Sequence, residues 1–232
     1  MKILVIDDEK PTLSMFRLFL TAYGYEVVTA EDGEKGLALF HEIRPGIVFT
    51  DLKMPGLDGL EVLRRIRKSD IPSEVIVITG HGDMENAVEA LDLDASDFIN
   101  KPVERHALSS ALARAEKRRQ GQRDNAFALS ETQKDGNLIF SLKGKLSASA
   151  RPLFSPLLSA VNPDPEKERT LFFQEDFSID KSGIALLMDV IQKLRQKNTP
   201  VVMENLSYNY LRIFQMAGMD KFAVLKEALT DD

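Results

Sequence analysis

Five short runs rich in β-branched residues recur through the first hundred positions: ILVI (3–6), EVVTA (26–30), IVFT (47–50), EVIVIT (74–79) and DFIN (97–100). Between them the apolar residues return every three or four positions, near Glu34–Glu42, Gly59–Lys68 and Met84–Leu93. An earlier stretch opens at Pro11, carries Leu13, Phe16 and Leu20 on one face, and stops at Gly24. Short apolar runs suit strands buried on both faces, and the helical period suits amphipathic helices covering them. This alternation predicts a doubly wound, five-stranded parallel sheet with function at the carboxyl ends of its strands. A last helix is expected from about Glu104 to Gln120, with Leu108, Leu112 and Ala115 on one face. It runs out in EKRRQGQRDN, and a linker is expected at 121–125. The KRR triplet either meets an anionic partner or is a solvated helix end complementing the dipole.

The second half has a different rhythm. FALSETQ and LIFSLKG flank the turn KDGN (134–137) and predict a hairpin. A helix is expected near Ala150–Val161, then a loop with Pro163 and Pro165, then the strand TLFFQ (170–174). A helix over Ser182–Gln196 carries apolar Ile184, Leu187, Met188, Ile191 and Leu194. The strand PVVME (200–204) and a helix over Tyr208–Met216, closed by Gly218, complete the pattern. Met203, Met216 and Met219 are expected in the core, and Tyr208, Tyr210 and Phe214 either in the core or on a contact surface. These elements predict a second, smaller α/β domain.

The 232 residues suffice for two such domains, each with its own core. Acidic residues outnumber basic ones 36 to 30, and neither half has a basic excess, so nucleic acid is not an expected partner. No cysteine is present, which excludes disulfides, thiolate metal sites and a cysteine nucleophile. The opening MKILVIDDEK lacks the long apolar core of a signal peptide, and no run of about 18 apolar residues occurs, so a cytoplasmic protein without a membrane partner is expected. All three histidines, His41, His81 and His106, lie in the first half, which excludes a Ser–His triad within the second.

Asp7 and Asp8 directly follow the first strand, and Asp51 directly follows the third. Those strands are neighbours in a doubly wound sheet, so the carboxylates converge at one edge. Two carboxylates about 4 Å apart repel by roughly 4 kcal/mol at an effective dielectric near 20, so the cluster calls for a cation. Three hard oxygens with room for water suit Mg²⁺. Thr79 ends the fourth strand and Lys101 follows the fifth, adding a hydroxyl and an ammonium. Three carboxylates, a hydroxyl and an ammonium suit phosphoryl transfer to an aspartate.

The motifs VIDDEKP, FTDLKMPGLDGLEVL, VIVITGHGD and DFINKP together resemble the receiver domain of bacterial two-component response regulators, over about residues 1–120. The resemblance implies the flavodoxin-like fold and makes Asp51 the phosphoacceptor for a sensor histidine kinase. It implies that Asp7, Asp8 and Asp51 bind Mg²⁺ with the backbone carbonyl of Lys53, and that Thr79 and Lys101 contact the phosphoryl group. It implies a cis Lys101–Pro102 bond, and it makes Phe98 a switch aromatic that follows Thr79, against plain core packing. Lys53 and His81 fall where family members tune phosphate loss. Such a chain takes part in phosphotransfer, at most autophosphorylating and autodephosphorylating at Asp51, and is not a conventional enzyme.

Residues 126–229 resemble the STAS domain, the fold of anti-sigma-factor antagonists, through LIFSLKGKL (138–146), IDKSGIALLMDVIQKLR (179–195), PVVME and YLRIFQMAGMDKF (210–222). That fold has a mixed sheet, and its serine before the Gly is phosphorylated by an anti-sigma factor that is itself a serine kinase. Ser182 occupies that position. As a plain residue it is an ordinary helix cap; as a phosphosite it would put its charge at a favourable helix end. The chain departs from the family at Lys181, where a second serine is usual, at Ser147, where an Asp commonly follows the turn, and at Phe172.

The combination implies partner switching controlled by phosphorylation of Asp51. The rival expectations are a degenerate STAS scaffold in which Ser182 is never phosphorylated, and a DNA-binding or phosphatase output. The missing helix-turn-helix pattern and basic excess speak against DNA binding, and the missing histidine and metal-ligand cluster against a phosphatase. The sequence leaves open a homodimer through the receiver's last helix.

Overall fold

The computed structural model describes residues 1–80, 84–119, 126–134, 137–159 and 168–228, so the expected linker at 121–125, His81 and the tip of the KDGN turn lie outside the described residues. The chain divides into two compact units, Met1–Arg123 and Asp124–Asp232.

In the first unit every expected strand and helix forms. β1 (Lys2–Ile6), β2 (Glu26–Ala30), β3 (Ile47–Asp51), β4 (Glu74–Thr79) and β5 (Asp97–Asn100) make one sheet in the order β2-β1-β3-β4-β5, all pairs parallel. β3 and β4 are buried along their whole length, as the apolar runs IVF and VIVI within them require. The helices are α1 (Lys10–Ala22), α2 (Gly33–Ile43), α3 (Gly59–Arg67), α4 (Met84–Asp92) and α5 (Arg105–Arg119). Local chemistry sets their starts. Asp32 accepts from the Lys35 amide (2.7 Å) at the head of α2, and Asp58 accepts from the Glu61 amide (2.8 Å) at the head of α3. Phe16, Leu20, Phe49, Ile76, Ile78, Ile99 and Leu108 meet in one fully buried cluster between the sheet, α1 and α5. Each such side chain contributes about 1.5–3 kcal/mol by leaving water. α5 is fastened by Arg114 to Asp97 (2.6 Å) and by Glu116 to the Tyr25 hydroxyl (2.7 Å).

In the second unit β6 (Ala128–Lys134) and β7 (Asn137–Lys143) pair antiparallel, as the hairpin reading expects. β8 (Lys145–Leu146) follows. Residues 148–159 differ from the single helix expected near 150–161: a 3-10 stretch, Ala148–Phe154, precedes a five-residue α6 (Ser155–Ser159). Pro152 lies inside the 3-10 stretch, where its missing N–H leaves one turn bond unmade and interrupts the run expected as one helix. β9 (Arg169–Phe173), β10 (Ser178–Ile179), α7 (Lys181–Gln196), β11 (Val201–Leu206), α8 (Tyr208–Met216) and β12 (Val224–Glu227) complete the unit. The sheet is mixed, in the order β12-β11-β9-β7-β6. β8 and β10 form a separate parallel pair with Lys145 opposite Ser178 and Leu146 opposite Ile179. α7 buries Leu186, Leu187, Val190, Ile191 and Leu194, while Ile184 and Met188 are only partly covered. Met203 and Met219 are core, but Met216 is 58% exposed at the end of α8. Tyr210 and Phe214 are buried and pack around Phe173 and Phe177, and Tyr208 is half-buried.

Candidate functional site

The register of the first sheet carries four strand ends to one edge. Val5 lies opposite Phe49 and Ile6 opposite Thr50, so Asp7 and Asp51 leave adjacent strands side by side. Thr79 lies opposite Asn100, and the Lys101 amide donates to the Thr79 carbonyl (2.7 Å), which sets Lys101 over the same edge. Asp7 and Asp51 are buried and Asp8 is exposed; one carboxylate oxygen from each lies within 4.8 Å of the others. Asp7 Oδ1 accepts from the Glu9 amide (2.8 Å), and Asp51 Oδ1 accepts from the Lys53 amide (3.3 Å). Thr79 is buried, and its hydroxyl reaches the Gly80 carbonyl at 3.4 Å. The Lys101–Pro102 bond is cis. Phe98 is fully buried in β5.

Lys101 supplies the compensating charge. Its Nζ lies 2.6 Å from Asp51 Oδ2, 3.1 Å from Asp7 Oδ2 and 3.2 Å from Glu9 Oε2. Burial alone would lower the lysine's pKa, but the contacts with Asp51 and Asp7 outweigh it and hold the ammonium well above its usual range. Burial pushes the Asp7 carboxyl up, opposed by the Glu9 amide and by Lys101. The contact between Lys101 and Asp7 Oδ2 is at ion-pair distance but not aligned as a hydrogen bond, so that buried oxygen has no hydrogen-bond partner among the described residues. A buried carboxylate oxygen with a free lone pair, beside two more carboxylates, is a donor set that fits a hard divalent cation such as Mg²⁺.

The second unit gathers a smaller polar group where β8 and β10 end. Ser182 is exposed and stands inside the first turn of α7. The cap is Asp180, whose Oδ1 accepts from the Gly183 amide (2.8 Å) and from the Ser182 hydroxyl (2.7 Å). The helix-cap reading of Ser182 is therefore corrected: a shorter route to the free amides runs from Asp180, two residues earlier. Ser182 Oγ instead accepts from the Ala148 amide (2.9 Å) and ties the 3-10 stretch to α7. Ser147 and Ser149 share a hydrogen bond of 2.8 Å beside it.

Comparisons with known proteins bear on these sites. Residues 3–113 match the response regulator receiver domain, and residues 128–231 match the STAS domain. The chain is 42% identical over 159 residues to the transcriptional regulatory protein FixJ of Rhizobium meliloti, an alignment spanning 68% of this chain and 74% of that protein. It is 38% identical over 199 residues to the transcriptional regulatory protein AfsQ1 of Streptomyces coelicolor, spanning 84% and 88%. The chain belongs to the response regulator family. Among solved structures, a response regulator receiver domain protein from Clostridium thermocellum is 41% identical, with 51% of this chain and 96% of that chain covered and a TM-score of 0.50.

Two residues of this response regulator's receiver site escape a reading by strand ends. Glu9 adds a third carboxylate around Lys101, beside Asp51 and Asp7; its only signal is its place directly after the Asp pair. Gly59 opens α3, where a Cβ would collide with the Asp51 carbonyl, so a helix start presses on the back of Asp51. The spacing GLDG after Asp51 is its signal. In the STAS domain, Asp180 was legible only as the residue two before Ser182.

Proposed function

We propose that this response regulator is a phosphorylation-controlled binding protein whose receiver takes a phosphoryl group on Asp51 from a sensor histidine kinase. The observation that carries the reading is the convergence of Asp7, Asp8, Asp51 and Lys101 at one sheet edge, with Asp51 Oδ2 2.6 Å from the Lys101 ammonium. Asp7, Asp8, Asp51 and the Lys53 carbonyl hold Mg²⁺, which supplies charge neutralisation when bound. Asp51 offers a carboxylate oxygen as nucleophile. Lys101 and Thr79 grip oxygens of the transferred group, and Phe98 follows Thr79 when it moves. The domains run over 1–120 and 126–229, joined by a linker at 121–125. The STAS domain binds an anti-sigma factor that is also a serine kinase, Ser182 is its phosphosite, and the chain works in the cytoplasm. No helix among the described residues is long and apolar enough to cross a membrane.

A second reading rests on Ser182 itself. Its hydroxyl is already engaged on both sides, by Asp180 and by the Ala148 amide, which favours a fastening role in a scaffold whose serine stays unmodified. One experiment separates the two. The tagged chain, bare or loaded with Mg²⁺ and beryllofluoride, is used to capture partners from native lysate, in wild-type and Ser182→Asp forms. A serine kinase whose recovery depends on the Asp51 state and is lost with Ser182→Asp supports partner switching. Partners indifferent to both changes support the scaffold.

A further inference from the structure

Glu9 sits at the N-cap of α1, where Ser, Thr, Asp or Asn is preferred because a short side chain reaches the free amides of the first turn. The Glu9 side chain makes no such bond. Its Oε2 instead accepts from Lys101 Nζ (3.2 Å) and from the Thr12 hydroxyl (3.0 Å). The side chain is 60% exposed and stands outside the trio of aspartates that fits a metal ion. A residue poorly suited to its capping position, with its carboxylate turned across the site to the Lys101 ammonium, has a role tied to that ammonium.

The contacts of that ammonium say what the role is. Lys101 Nζ donates to Asp51 Oδ2 and to Glu9 Oε2, and lies at ion-pair distance from Asp7 Oδ2. A phosphoryl group on Asp51 brings a new anionic acceptor to the same nitrogen and competes with these contacts. Asp7 is buried and Asp51 carries the group. Glu9 faces solvent, keeps Thr12 as a donor and gains water in exchange for the lysine. We propose that Glu9 is a positioning residue that holds Lys101 in the unphosphorylated receiver and competes with the phosphoryl group for it. The inference rests on Asp51 as phosphoacceptor.

The test uses the full chain with Glu9→Gln, which keeps an acceptor for Thr12 but removes the charge, and Glu9→Ser, which installs a preferred cap. Beryllofluoride is titrated at saturating Mg²⁺, thermal stability is measured alongside, and the water exchange of the Lys101 side-chain amine is followed by NMR in metal-free protein. Both variants are expected to bind beryllofluoride about two- to fivefold more tightly, the range of a lost exposed ion pair. Lys101 exchanges faster in both, although Glu9→Ser alone gains thermal stability. Unchanged affinity in both variants, or affinity that merely tracks stability, overturns the inference. A wild type that takes up no beryllofluoride overturns the phosphoacceptor reading and this inference with it.

Discussion

The two domains set their central polar residues in opposite surroundings. Asp51 is buried among other carboxylates, with Lys101 to offset them and a neighbouring Asp7 oxygen that no hydrogen bond reaches among the described residues. Ser182 is exposed, and its hydroxyl both donates and accepts at good distances. The receiver site holds unmet electrostatic demand, so a cation or a transferred phosphoryl group changes its balance strongly. The STAS site is satisfied as it stands, so charging Ser182 has to break something, first its bond to Asp180. Yet both are built alike below the surface. Gly59 lets the head of α3 press on the Asp51 carbonyl, and Gly183 lets the head of α7 press on the Leu146 carbonyl; a Cβ would collide at either place.

The contrast predicts a ranked set of effects. The largest is chemical: Asp51→Asn abolishes phosphoryl uptake from acetyl phosphate with Mg²⁺, read by intact mass, while Ser182→Ala takes up the group as the wild type does. Uptake by Asp51→Asn would place the nucleophile elsewhere. Next, Mg²⁺ at a hundred times its Kd stabilises the receiver by about 2.7 kcal/mol and leaves the STAS domain unmoved, as calorimetry with and without chelator would reveal. Gly59→Ala and Gly183→Ala each cost about 1–3 kcal/mol through overpacking against a carbonyl, measured by urea unfolding. If only one of them destabilises, the shared construction is wrong. The smallest pair is Asp180→Ala, which loses about 1 kcal/mol as a cap, and Ser182→Ala, which loses less because its site is exposed. A Ser182→Ala cost above that of Asp180→Ala would restore the serine as the main anchor of the α7 start.

The receiver was legible because strand adjacency follows from alternation. Once β1 and β3 are neighbours, Asp7, Asp8 and Asp51 must meet, and Thr79 and Lys101 must join them. Glu9 was not legible, because the contact that matters spans 92 positions and depends on where a cap side chain turns. The STAS domain was read more coarsely for physical reasons. β8 and β10 are two residues each, too short for any period to appear, and their pairing leads to the contact of Ala148 with Ser182. β12, VLKE, is half-charged and mostly exposed at a sheet edge, so no apolar run announces it. Pro152 was visible in the sequence, but the apolar residues around it suggested one helix rather than a 3-10 turn and a short α6.

The central claim is that the state of Asp51 governs what happens around Ser182. Hydrogen exchange of the full chain, with and without beryllofluoride in the presence of Mg²⁺, reads this directly at the amides of residues 144–152 and 178–186. The account predicts that loading Asp51 changes protection in both segments, and that Asp51→Asn cancels the change. Identical exchange there in a protein that has taken up beryllofluoride would contradict it.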